Sequence, residues 1–161
     1  MSWIERAFGK SFKSGKPYIS YEGYALASAI NEIVELDFVG YTMFVNVVET
    51  ITCVTVAASN YQVATFSHLT DQVDPEQYSS QLVKIWKNER PKIAIVGGDD
   101  LYDPTDFSGR LERTLTRHGF GIAGKVVGGR GLERTVSMSQ NQVFVSEKGY
   151  RVPNRELQIS F

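Results

Sequence analysis

The chain has 161 residues, enough for one domain with a core that buries roughly 70% of the unfolded surface. Seventeen Lys and Arg against eighteen Asp and Glu leave a formal charge of −1, without the basic footprint of a nucleic-acid binder, and 42% hydrophobic residues argue against disorder. A single cysteine and two histidines exclude an internal disulfide and make a Cys/His metal centre improbable, so structural metal is not expected.

The opening, MSWIERAFGKSFKSGK, carries Glu5 and Arg6 where a signal peptide would begin its apolar run, so Sec export is not expected. The segment 1–40 has little readable pattern; Tyr24–Ile30 suits a short helix or a strand equally. Val39–Ser59 is nearly uncharged, but Asn46, Glu49 and its threonines break it, which favours strands over membrane insertion. Tyr41–Val48 and Ile51–Ala58 are rich in β-branched and aromatic residues and predict two strands. The pattern resumes at Gln62–His68, so the second strand should return through a tight hairpin centred on Asn60-Tyr61.

Asp74 can cap the next helix, Pro75 fits its first turn, and Leu82, Val83, Ile85 and Trp86 supply an apolar side. Ile93–Val96, between Pro91 and Gly97-Gly98, reads as a buried strand. Asp103-Pro104 repeats the capping pattern, and Phe107, Leu111 and Leu115 mark a second helix ending near Gly119. Ile122–Val127, Thr135–Ser139 and Val143–Ser146 then alternate with Gly128-Gly129, Gln140-Asn141 and Gly149 as a meander, leaving 150–161 as a tail. The expected whole is one α+β domain over 1–161, its core at about 41–149, with two helices covering mostly antiparallel sheets.

Hairpin register gives the strongest chemical signal. A two-residue loop at Asn60-Tyr61, or a four-residue loop with the same centre, sets Cys53 directly opposite His68, with Cβ atoms about 5 Å apart on one face. A thiol beside an imidazole can act as a nucleophile, while the bland alternative is a buried cysteine and a hydrogen-bonded histidine at a strand end. Thr50, Thr52, Thr55, Ser67 and Thr70 are hydroxyls that could orient the imidazole; alternation puts Thr55 on the Cys53 face, and choosing Thr50 or Thr52 requires a bend near Glu49.

Other motifs are weaker. Gly119-Phe120-Gly121-Ile122-Ala123-Gly124 matches a dinucleotide pattern, but a helix precedes it and a strand follows, the reverse of the required order. Asp99, Asp100 and Asp103 read as turn and capping residues, and His118 as a residue suited to a helix carboxy-terminus. Gly128-Gly129-Arg130-Gly131 fits an anion-binding turn as well as a close approach of strands.

With the Cys53/His68 hairpin, the segments Lys92–Gly98, Phe107–His118 and Lys125–Arg130 follow in an order that resembles the chemoreceptor glutamine deamidases, the CheD family, and shares a core with deamidase toxins of the cytotoxic-necrotizing-factor type. The resemblance spans about Tyr41–Gly149 and implies an α/β/β sandwich and a cofactor-free cysteine hydrolase. It further implies Cys53 as nucleophile, His68 as acid-base and a nearby threonine, Thr50 or Thr52, as the third member, with Thr55, Thr70, Gly128, Gly129 and Arg130 around the substrate. The implied substrate is a protein glutamine, on a bacterial chemoreceptor or a host regulatory protein, for an enzyme that is cytoplasmic or delivered by a non-Sec route. The chain departs from the pattern in having Ile51-Thr52 where those families place a glycine or Gly-Ser, and Val47 where they place a hydroxyl residue. The alternative is a catalytically inactive adaptor of the same fold that binds a signalling partner.

Overall fold

The structure, a computed structural model, describes residues 31–37, 53–98, 103–128, 132–139, 141–149 and 152–161, with the strand segments 14–15, 18–19, 25–26 and 43–47. Twelve strands are present among the described residues: β1 (Ser14–Gly15), β2 (Tyr18–Ile19), β3 (Ala25–Leu26), β4 (Ile33–Asp37), β5 (Met43–Val47), β6 (Val54–Ser59), β7 (Val63–Leu69), β8 (Ile93–Gly97), β9 (Ile122–Val126), β10 (Leu132–Met138), β11 (Gln142–Gly149) and β12 (Val152–Ser160). Helix α1 (Pro75–Trp86) lies between β7 and β8, and helix α2 (Phe107–Arg117) between β8 and β9.

Two sheets form, ordered β1-β4-β7-β6-β8-β9 and β12-β11-β10-β5-β3-β2, and most of their pairings are antiparallel. Strand alternation divides the first sheet into two faces. Val34, Ala57, Phe66, Ala94 and Val96 point one way, onto Val136, Met138, Val143, Val145 and Ile159 of the second sheet. Ile33, Val54, Val56, Leu69, Ile93 and Ile95 point the other way, onto Tyr78, Leu82 and Trp86 of α1 and Phe107, Leu111 and Leu115 of α2. The layers therefore run helices, sheet, sheet.

The helices sit where their caps and apolar faces dictate. Asp74 accepts a hydrogen bond from the Glu76 amide at 3.2 Å, Pro75 opens α1, and the Lys87 N–H closes it on the Val83 carbonyl. Two buried bonds fasten α1 to the outward positions of β7: Tyr78 donates to Ser67 at 2.8 Å and Trp86 Nε1 to Thr65 at 3.1 Å. The second helix starts three residues beyond Pro104, because Asp103 spends its carboxylate across a turn, accepting from the Thr105 amide and hydroxyl and from the Phe107 amide at 2.9 Å. Glu76 joins the helices, meeting His118 at 2.8 Å and pairing with Arg117, which gives His118 the structural place expected of it.

Four sequence expectations change. Ile122–Val127, expected to open a meander with the two strands after it, gives β9, which pairs in parallel with β8 in the first sheet while β10 and β11 lie in the second. Residues 152–160, expected within a tail, form the edge strand β12, which pairs along β11 from Gln142↔Ser160 to Gly149↔Val152. Residues 33–37, within the unassigned opening, form β4, antiparallel to β7. The hairpin turns one residue later than expected: Asn60 Oδ1 accepts from the amides of both Gln62 and Val63, and Tyr61 takes φ 74°, so Thr55, not Cys53, stands opposite His68. The Asn60 side chain thus supplies the turn instead of occupying its centre.

At the site end of this sheet β8 approaches the backbone leading into β6 closely. Gly97 has φ +106°, and a Cβ added there would lie 2.5 Å from the Cys53 carbonyl oxygen. At the β9 edge the two sheets touch, since a Cβ on Gly124 would come within 2.7 Å of Ile159 Cγ2. The expected effect of Gly97→Ala is a loss of about 2 kcal/mol or more, from positive φ and backbone collision together, measurable by urea denaturation.

Candidate functional site

Cys53 immediately precedes β6 and is buried in the cluster between the two sheets. Two residues on, Thr55 shares its face and is 0% exposed, paired across the ladders with His68 on one side and Val96 on the other. His68, 5% exposed, stands one diagonal step from Cys53, a relation that separates Cα atoms by about 7–8 Å and remains within reach of a long side chain. The structure therefore brings Cys53, Thr55 and His68 onto one inward face, with Thr55 in the directly opposed position that the sequence assigned to Cys53.

Two atoms here lack what buried polar atoms ordinarily have. Among the described residues neither Thr55 Oγ1 nor His68 Nε2 has a hydrogen-bond partner. Burial also lowers the pKa of His68 from its usual value, because a charged ring would have to be desolvated. The resting imidazole is accordingly neutral at physiological pH, with one ring nitrogen able to accept a proton.

Asn31, which sequence reasoning missed, fixes the end of β7. Its amide donates to the His68 carbonyl at 2.7 Å, and its side-chain oxygen accepts from the Thr70 amide at 2.8 Å. The Thr70 hydroxyl is also engaged with the Asn31 carboxamide, so Thr70 serves to hold the strand end that carries His68.

Gly128 reaches the same end of the first sheet: its amide donates to the Gly98 carbonyl at 2.8 Å, one residue beyond β8, and its φ is +81°. Its carbonyl accepts from Arg134, whose other contacts include Glu147 at 3.4 Å, the residue directly across the β10–β11 ladder. Glu147 in turn pairs with Arg155 of β12 at 2.7 Å. Arg134 and Glu147 were also missed; the signal was a charge continuing each inward alternation, 134-136-138 and 143-145-147, where apolar residues belong. Thr50, Thr52, Gly129 and Arg130 lie outside the described residues, as do Asp99 and Asp100, whereas Asp103 is a capping residue.

Among the described residues no three His, Cys, Asp or Glu side chains gather as a metal site, and no helix is long and apolar enough to cross a membrane. No protein-family model and no curated protein matches the chain.

The lowered His68 pKa makes stability depend on pH in a defined sense. An unfolded chain binds the proton near the ordinary value of 6.5 while the folded chain resists it, so the contribution is fully present above that pH and is lost as pH falls through the folded value. Urea denaturation across this range should show wild-type stability declining on acidification, and His68→Gln should remove that part of the decline.

Proposed function

We propose that this chain is a cysteine-dependent protein-glutamine deamidase, with Cys53 as nucleophile and His68 as acid-base. One observation carries the reading: Cys53 shares its inward face with a buried hydroxyl and a buried imidazole nitrogen that have no partner among the described residues. Each such orphan costs about 1–3 kcal/mol, and costs of this kind are retained where chemistry needs an unoccupied polar group. The helix–sheet–sheet layering and the order of hairpin, strand into Gly97-Gly98, helix and strand into Gly128 agree with the resemblance to the CheD and necrotizing-factor deamidases.

The neutral His68 ring takes the Cys53 thiol proton as sulfur attacks the carboxamide carbon. The C–N bond breaks as His68 returns that proton to nitrogen, releasing ammonia and leaving a thioester. His68 then deprotonates water, which cleaves the thioester to a carboxylate and restores the thiol. The substrate is a glutamine side chain of a chemoreceptor or a host regulatory protein, and the added negative charge changes the partner's surface.

A second reading is the non-catalytic adaptor. It is favoured by the burial of Cys53 in the apolar cluster between the two sheets, the surroundings of an inert thiol. Mass spectrometry of candidate receptors and small GTPases separates the two readings. The deamidase adds about one mass unit per glutamine and releases one ammonia, is silenced by Cys53→Ala and slowed about 10²–10⁴-fold by His68→Ala, with both variants folded. Absence of any Cys53-dependent shift, together with a native thiol that resists alkylation, leaves the adaptor.

A further inference from the structure

We infer that Thr55 and His68 together form a reader for a neutral carboxamide, Thr55 donating to its oxygen and His68 Nε2 accepting from its nitrogen until sulfur attacks, when that N–H bond gives way and the ring takes the thiol proton. The inference rests on the reading of Cys53 as nucleophile. The two groups occupy directly opposed positions on adjacent strands, both are buried, and each is an orphan among the described residues. A hydroxyl offers a donor and an unprotonated ring nitrogen an acceptor, the two complements of a primary amide. A carboxylate has acceptors only and would set a lone pair against the ring nitrogen, so the same pair that admits glutamine disfavours the glutamate it produces.

The spacing suits attack. Thr55 lies two residues from Cys53 along the strand, about 6.6 Å at 3.3 Å per residue. That interval accommodates a carboxamide carbon within attacking distance of sulfur, about 3–3.5 Å, and its oxygen within hydrogen-bonding distance of the Thr55 hydroxyl. Thr55 thus supplies from the side chain a donor at the oxygen that becomes negative, in a chain with Ile51-Thr52 ahead of the cysteine in place of a glycine.

Two alkylating agents of nearly equal size test this, iodoacetamide bearing the carboxamide and iodoacetate the carboxylate. The measured quantity is the ratio of their rates at Cys53 in the native protein, divided by the same ratio in urea-unfolded protein. The wild type should favour iodoacetamide by about 10-fold, the discrimination of one or two well-placed hydrogen bonds. Thr55→Ser should keep most of this preference. Thr55→Val should lose it while remaining folded and at least as stable, because it deletes an unsatisfied buried hydroxyl. A native thiol that reacts without preference overturns the carboxamide reader and leaves the nucleophile standing, as does a preference that survives in Thr55→Val. A native thiol inert to both agents removes the nucleophile, and the reader with it.

Discussion

Strands β6, β7 and β8 have helices on one face and a second sheet on the other, so residues of both parities along them must leave water. That demand accounts for the composition of β6, Val-Thr-Val-Ala-Ala-Ser, whose small and β-branched side chains allow layers to approach from both sides. It also gives polar groups there their meaning. Ser67 and Thr65 on the outward face are each matched by a donor from α1, whereas Thr55 Oγ1 and His68 Nε2 on the inward face have no partner among the described residues. The contrast within one hairpin separates polar groups that fasten the fold from polar groups that do not.

The same burial governs the protonation state of the candidate acid-base. A surface histidine keeps its charged form hydrated, whereas the buried His68 ring would lose that water on protonation, so its neutral form is favoured. The thiol is also desolvated, and the diagonal relation of Cys53 to His68 leaves the directly opposed place to an uncharged hydroxyl.

Much of this was legible because it depends on local chemistry. Aspartate-proline starts, four-residue apolar spacing and β-branched runs located both helices and the strands β6 to β9 to within a few residues. What escaped depends on groups distant in sequence. The partner that holds β7 at Asn31 is thirty-nine positions from Thr70, and nothing local marks it. Strand β12 reads as a tail because Pro153, Asn154, Arg155 and Glu156 show no apolar alternation and are exposed, as an edge strand permits and an isolated segment would equally show. The hairpin was recognised but its centre was displaced by one residue, because Asn60 suits both the middle of a turn and its entry. Only the second role lets its side chain bond the amides of Gln62 and Val63. The Cys53 and His68 pair was therefore found on the right face with the wrong neighbour.

The contact between Gly124 and Ile159 shapes how the two sheets can separate. With no side chain at Gly124, β9 lies against β12 closely enough to seam the layers along one long edge, while the arginine-held Gly128 ties the chain where it passes from one sheet to the next. Such a seam acts as the spine of a bound volume. A methyl group at position 124 would press on Ile159 Cγ2 and push the covers apart, so the interlayer distance along this edge is set by the absence of a side chain.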